Sequence, residues 1–476
     1  MPQKIANAIL SRKDKIVLCD IFFDGTIHEV IEKEDVPGTP SELVEYIQTK
    51  RKSRSVETES IDANYRIVLP GAIDPHVHYD DPGFEWREDF YTGTLSAAFG
   101  GVTTVADMPC TSIPAVINEV NFKNKLNVIS KKAVTDFALW GGVSGTEFDD
   151  NTIRKNMHEL KEQGVIGFKT YLISGMDDFT SLTPSQLEEV ALIAKDLDML
   201  VAVHAEDKAF VERMREAFQK ENKNKITHYC QARGIQAEVL AIKTVIEIAQ
   251  KTGTHFHIVH LSSKRGLELI EEAQVQGVHV TTETCPHFLA FTQEDFEKQG
   301  SILKTAPPVK FEEDKKALWD GLKSGVISFV ATDHASCEYP REKSTGNIWT
   351  DYAGIPGSEL MVPFIFSEGF MESKLSLYQT QQILSENAAK NYGLDTNKGS
   401  ISIGKDTDFV FIDPLKEMKV VQEKLHSKGK YSPFHGRIFK CSIEKTIIRG
   451  HVIVDHNELF VEPGFGSYYK SNSIHK

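Results

Sequence analysis

The sequence predicts an α/β protein: a TIM (β/α)8 barrel carrying a small β-sandwich domain formed by both chain ends. Eight short apolar runs recur between residues 71 and 335, and the spacers between them can hold helices. Polar residues, histidine and aspartate above all, end nearly every run. Strands alternating with helices mean parallel β/α units, and eight such units suggest a closed barrel. A doubly wound open sheet is the structural alternative; the polar run ends favour the barrel.

Residues 1–65 open the chain as the first part of the small β domain, LCDIFFDGTIHEV being the clearest β-like run. A polar, charged stretch over 32–64 reads as an inserted surface segment, with TPSELVEYIQTKRKSR as a short helix behind a Thr/Pro start. The barrel is expected over 66–397. Its strands are GAIDPHVH (71–78), GVTTVADMP (101–109), VTDFALWGG (134–142) and GVIGFKTYL (164–172), then MLVAVHAED (199–207), HFHIVHLSS (255–263), VHVTTETCPH (278–287) and SFVATDHAS (328–336). Each is about strand length and most are rich in Val, Ile, Phe or Thr. SQLEEVALIAKDLD and AEVLAIKTVIEIAQKTG space their apolar residues three and four apart, as helices do. Residues 398–476 revert to short strands and turns (KGSISIGKDTDFVFID, KTIIRGHVIVDH) and return to the small β domain.

Composition narrows the function. Hydrophobic residues make up 40% and charged residues 26% of 476, an ordinary globular balance that excludes wholesale disorder. With Lys+Arg 54 against Asp+Glu 68 the formal net charge is -14, which repels phosphate backbones and argues against nucleic acid as a partner. No window approaches ~18 consecutive apolar residues, so no membrane span is expected. The start, MPQKIANAILSRKDK, lacks the apolar core of a signal peptide. The six cysteines are scattered without a CxxC pair, which reads as free thiols in a reducing cytoplasm.

The chemistry lies at the C-terminal ends of the strands, where barrel enzymes keep it. In Asp74-Pro75-His76-Val77-His78, residues two apart share a face, so two imidazoles stand side by side, a spacing that suits two ligands on one ion. His204 ends VAVH and His260 ends HIVH. Strand alternation groups Phe256, Ile258 and His260 on one face, which would turn His255 and His257 toward the outer helices. Asp333 in ATDHA could be a ligand, a general base or both. His334 alternates to the other side, as a support or as packing. Lys169 in GFKTYL is flanked by Phe168 and Thr170; burial would lower its pKa, whereas a snorkelling head would stay in water. Six such residues on five strands, all at one mouth, rarely arise by accident. No G-x-S-x-G elbow and no P-loop occurs, so acyl-serine chemistry and ATP hydrolysis have no support.

This pattern resembles the amidohydrolase superfamily, and within it the cyclic amidases. PGAIDPHVH, GVIGFKTYL, VHAED, VHLSS, ETCPHFL and GKDTDFVFID look like family signatures, and the likeness covers about residues 66 to 455. It implies two divalent metal ions, zinc by family habit. His76, His78 and Asp333 would hold one and His204 and His260 the other. Lys169, carboxylated by carbon dioxide, would bridge both. A shared water of lowered pKa would then attack a cyclic amide, with Asp333 as the catalytic proton carrier. The resemblance also implies a homo-oligomer, a tetramer.

Departures within the family bear on the ring. Dihydroorotases carry Arg, Asn and His where this chain has Asp80, Cys110 and Cys337; Asp80 is expected to repel a substrate carboxylate. Hydantoinases and dihydropyrimidinases place Tyr five residues after the bridging lysine, where Ser174 stands, with Tyr171 only two away. DHASC, CPHF, APPVK and ITHYCQARGIQAEVLAI look allantoinase-like, which implies a small neutral cyclic ureide as substrate, allantoin opened to allantoate. Ser262, His287, Ser336, Cys337, Ile355 and Gly357 are the candidate substrate contacts. Alternatives are a dihydroorotase-, hydantoinase- or dihydropyrimidinase-type hydrolase, a one-metal deaminase, against which Lys169 argues, and a non-catalytic dihydropyrimidinase-like scaffold, against which the complete ligand set argues.

Overall fold

In a computed structural model, which describes residues 3–52, 60–146 and 148–472, the eight apolar runs become the eight strands of a closed parallel barrel. Ala72–His78, Val102–Asp107 and Asp136–Leu139 pair in parallel, as do Phe168–Tyr171, Val201–His204, Phe256–Ile258 and Val280–Thr284. Closure depends on two interrupted strands. The third is broken at Trp140; its second part, Gly141–Gly142, pairs with Phe168–Tyr171. The eighth pairs through Phe329–Val330 with Val280–Thr284 and through His334–Ala335 with Ala72–His78. Each half bonds a different neighbour, so the ring has no free edge.

Helices flank the strands. Pro184–Asp196 buries Leu187, Val190, Ala191 and Ala194 and starts at Thr183, which exchanges capping hydrogen bonds with Gln186. Ile235–Thr252 buries Val239, Ile242, Val245 and Ala249 and stops at Gly253 in the left-handed region. Both match the three- and four-residue spacing in the sequence.

Inside the barrel, Lys169, Ala202, His257 and Thr281 lie opposite one another across four strands and form one interior row. His257 therefore points inward, which corrects the alternation drawn from His260. The strand ends at Ile258, and His260 has φ +41, a left-handed residue that resets the parity, so His257 and His260 both face the interior. His255 follows His257: a ring nitrogen of each lies 2.9 Å from Thr281 Oγ1. Trp140, Phe329 and Tyr392 pack edge to face beneath this row, with Trp140–Tyr392 ring centres 5.1 Å apart.

Both chain ends meet in one nine-stranded sheet. Gln3–Ser11, Ile16–Phe23 and Ile27–Val36 form an antiparallel meander; Phe409–Asp413, Ser442–Ile448 and His451–Asp455 form another. They are joined through Ile67–Pro70, which pairs with Phe409–Asp413. The chain passes to the barrel at Gly71, where a β-carbon would come within 2.1 Å of Thr103 Oγ1. The polar stretch is more integrated than a surface insertion. Residues 32–36 belong to the strand Ile27–Val36, whose charged, exposed edge resembles a loop in sequence. The helix Pro40–Lys52 buries Leu43 and Ile47, and Arg51 grips Asp413 through two hydrogen bonds of 3.1 and 3.0 Å. Residues 53–59 lie outside the described residues, and Ile61–Asp62 pairs in parallel with Gln3–Ser11. All six cysteines are free and buried, and no helix among the described residues is long and apolar enough to cross a membrane.

A buried ionic cluster ties the β domain to the barrel. Lys398 Nζ lies 2.6 Å from Asp136 of the third barrel strand, 2.6 Å from Asp408 and 3.0 Å from Asp406, and Arg449 also pairs with Asp136. Removing the lysine leaves three carboxylates in one desolvated site. Lys398→Met is expected to lower stability by ~3–5 kcal/mol, measured as the shift in the urea unfolding free energy.

Candidate metal centre

His76 and His78 stand two residues apart on the first strand, and both point to the mouth. Their Nε2 atoms lie 3.2 and 3.1 Å from the same oxygen, Asp333 Oδ1. One donor atom from each of the three falls within 4.8 Å of the others, a spacing that can hold a metal ion. Asp333 reaches this place from a loop residue with φ +50. The preceding residue is pinned: Thr332 N and Oγ1 donate to Asp74 at 3.0 and 2.6 Å, and Ser358 Oγ donates to Asp74 at 2.9 Å. His334 is buried behind the site between Ser358 and Glu88.

A second pair adjoins the first. His204 Nδ1 is 2.9 Å from His260 Nε2, and the His260 ring centre is 5.6 Å from that of His76. Lys169 completes the set from below. Its amine is fully buried, has no hydrogen-bond partner among the described residues, and sits 4.5 Å from the centre of the Tyr171 ring. Burial drives its pKa down to about 8, against the pull of Cys110, Asp333 and Glu283.

Two carboxylates outside the expected set stand behind these ligands. Glu283 Oε1 lies 2.6 Å from His76 Nδ1, and its other oxygen 3.3 Å from His257 Nε2. Burial alone would raise the Glu283 carboxyl; the charge of His76 overrides it and brings the group to about 2. Glu206 Oε2 lies 2.9 Å from His204 Nε2, and Arg233 Nε donates to Glu206 at 3.0 and 3.1 Å. Asp333 is likewise held well below the carboxylate range: burial opposes ionisation, and His76 and His78 outweigh it. Burial, reinforced by His204, keeps His260 well below its usual value and so neutral.

Above the ligands opens a cavity of about 490 Å³. His76, His78, His204, His260 and Asp333 line it, with Phe84, Arg87, Tyr171, Arg233 and Tyr352 among the other wall residues. Arg87 packs against the Tyr352 ring at 4.7 Å and donates from Nε to Glu342 at 2.8 Å. Cys110 and Ser174 reach the wall; Cys110 Sγ is 3.1 Å from Tyr171 Oη, and Ser174 Oγ is spent on the Phe179 carbonyl at 2.6 Å.

The six expected substrate contacts make other contacts, and none is among the residues that line this cavity. Ser262 N and Oγ donate to Glu238 at 2.9 Å each. His287 is buried against Phe288, its Nε2 without a partner among the described residues. Ser336 Oγ accepts from Gly429 N at 3.2 Å. Cys337 and Ile355 pack with Tyr431, and Gly357 N faces His334 Nδ1 at 3.3 Å. Asp80 is likewise absent from that lining. It is fully buried; burial keeps its carboxyl well above the usual range, and neither oxygen has a partner among the described residues. The charged residues that line the cavity are Arg87, Arg233, Asp177 and Asp178 besides Asp333.

Glu206, Glu283, Arg233 and Arg87 were not picked out from the sequence; Asp74 entered only as part of the His-x-His run, without its role in holding Thr332, and His257 was turned to the outer helices. A carboxylate inside an otherwise apolar run, as in HAED and TTETC, is the signal that could have found the first two.

A parallel barrel with imidazole and carboxylate donors converging at its C-terminal mouth has the layout of a barrel metalloenzyme. The amidohydrolase family matches residues 67–453, and the chain belongs to that family. It is 34% identical over 413 residues to the allantoinase of Salmonella newport, covering 86% of this chain and 89% of that one. The L-hydantoinase (dihydropyrimidinase) of Arthrobacter aurescens superposes with a TM-score of 0.89 at 27% identity, over 99% of this chain and 100% of its own. The dihydropyrimidinase of Brevibacillus agri does so with 0.89 at 26% identity, over 100% of both.

The sealed amine of Lys169 costs the metal-free protein stability. Lys169→Met is expected to raise the unfolding free energy of chelator-treated protein by ~1–3 kcal/mol at pH 7. The pKa is depressed in the folded state, so the unfolded chain binds more protons between about 8 and the usual lysine value. Wild-type stability therefore recovers as pH rises through that window, and the gap to the variant closes. Urea titrations at several pH values measure it.

Proposed function

We propose that this chain hydrolyses the ring amide of a small neutral cyclic ureide, allantoin to allantoate, using two divalent ions, zinc in our reading, at the barrel mouth. His76, His78 and Asp333 would hold one ion, His204 and His260 the other, and carboxylated Lys169 would lie between them. One observation carries the reading: a fully buried lysine amine without a hydrogen-bond partner among the described residues, set among four imidazoles and a carboxylate. Reaction with carbon dioxide turns that amine into an anion, the form a pair of dications needs. The donor set fits the ions as well, because imidazole nitrogen and carboxylate oxygen are ordinary zinc ligands.

Such ions, when bound, lower the pKa of a water and polarise a carbonyl. The protein does the rest. Asp333, held ionised at the mouth, takes the proton of the attacking water and passes it to the departing ring nitrogen. Tyr171, stacked on His204 with ring centres 5.2 Å apart, covers Lys169 from the cavity side. The buried walls of the cavity restrict water around the ring. Similarity to allantoinase over most of both chains supports allantoin, and the allantoinase-like segment 226–242 supplies Arg233 to the wall. A hydantoinase- or dihydropyrimidinase-type substrate is the second reading, favoured by superposition over the whole chain. We also read the protein as a cytoplasmic homotetramer; light scattering of the purified protein tests the assembly.

Side-by-side turnover of allantoin, hydantoin, dihydrouracil and dihydroorotate by metal-loaded protein decides the ring, with allantoin expected to be fastest. Absence of turnover across the panel would sink the hydrolase reading. His204→Ala and Lys169→Ala are expected to keep the wild-type circular dichroism while losing all but a few per cent of activity. Acetate or propionate should partly restore Lys169→Ala, since a small carboxylate can occupy the place of the carbamate.

A further inference from the structure

The two carboxylates behind the ligands divide the site between them. An ionised carboxylate only accepts hydrogen bonds. Glu283 therefore requires the hydrogen of His76 on Nδ1, 2.6 Å away, and Glu206 requires that of His204 on Nε2, 2.9 Å away. The lone pairs then fall on His76 Nε2 and His204 Nδ1. Those are the atoms aimed at the site. His76 Nε2 is buried, makes no hydrogen bond among the described residues and lies 3.2 Å from Asp333 Oδ1; His204 Nδ1 lies 2.9 Å from His260 Nε2.

Each carboxylate is itself fixed by a different partner. Glu283 is shared with His257, both side chains no more than 1% exposed. Glu206, 1% exposed, is clamped by Arg233, whose guanidinium reaches the cavity wall. The four residues come from different elements: Glu206 follows the fifth strand, Arg233 follows the helix Ile226–Ala232, His257 lies on the sixth strand and Glu283 on the seventh. Neither group is an ion ligand in the reading given above, and each touches one histidine of one ion pocket only.

We propose that Glu206, clamped by Arg233, is the positioning residue for the ion pocket of His204 and His260, and that Glu283, shared with His257, is the positioning residue for the pocket of His76, His78 and Asp333. The assignment rests on the two-ion reading. Each carboxylate selects the tautomer and ring orientation of its histidine and raises the basicity of the nitrogen offered to the ion. Loss of one carboxylate should loosen one ion and spare the other.

Equilibrium dialysis of the full chain against graded Co²⁺ reads this directly, with the visible spectrum of the bound ions recorded in parallel. Wild type is expected to hold two ions per chain. Glu206→Gln is expected to weaken one of them ~10–100-fold and keep the other at wild-type affinity. Glu283→Gln should do the same with the opposite ion, so the two residual one-ion spectra should differ. Should Glu206→Gln misfold because Arg233 is left unpaired, the double variant Glu206→Gln/Arg233→Met removes both charges and carries the same expectation. Wild type holding two ions while the folded variants keep both at unchanged affinity, or lose both equally, would overturn the assignment. Wild type holding fewer than two would overturn the two-ion reading, and this inference with it.

Discussion

A lysine amine sealed beneath four imidazoles, with no group among the described residues to receive its hydrogens, is the constraint on which the rest of the site depends. A buried polar group without a partner is costly, and a fold keeps one only where something else compensates. Around Lys169 the compensation is distributed. Asp333 lies against His76 and His78, Glu283 against His76 and His257, and Glu206 against His204 and Arg233. The carboxylates hold the imidazoles in place while the lysine is left open to a further chemical partner. Charge inside a barrel is tolerated here because each imidazole but one, His260, has an anion within reach and His260 itself is kept neutral by burial.

The barrel supplies the convergence that such a site needs. Six ligand candidates spread from His76 to Asp333 reach one mouth because parallel strands all end on the same side. Closure is achieved through two broken strands, and the break in the eighth allows Asp333 to swing out of the sheet. Asp74, on the first strand, holds that turn through Thr332 and Ser358. The β domain contributes at a distance. Its Lys398, Asp406, Asp408 and Arg449 cluster grips Asp136 on the third strand, so the sheet built from both chain ends is fastened to the barrel rather than merely beside it.

Much of this was legible in the residues. The eight strands follow from apolar runs ended by polar residues, and the candidate ligands follow from imidazole, carboxylate and amine side chains at those ends. The parts that were not legible share one cause: they depend on where a chain turns, which local pattern does not state. The alternation around His260 misplaced His255 and His257 because a single left-handed residue resets the parity. Ser262, His287, Ser336, Cys337, Ile355 and Gly357 follow the strand ends in sequence, yet their side chains engage other neighbours and none is among the residues that line the cavity. Residues 32–36 looked like a loop because an edge strand facing water carries charges for the same reason a loop does.

By itself, then, the order of the amino acids determined the barrel, the pairing of both chain ends in one β domain, and the candidate ligands at the strand ends, of which His76, His78 and Asp333 come within reach of one ion. These are consequences of periodicity and of residue chemistry, which are local and readable along one dimension. Only the tertiary structure decided which carboxylate stands behind which histidine, which arginines face the cavity, and that Asp80 does not. Those relations join residues as far apart as His76 and Glu283, on strands one and seven, and they arise from the curvature and stagger of a closed sheet. No spacing in the sequence encodes them, because the distance between two side chains across a barrel is set by the strands between them.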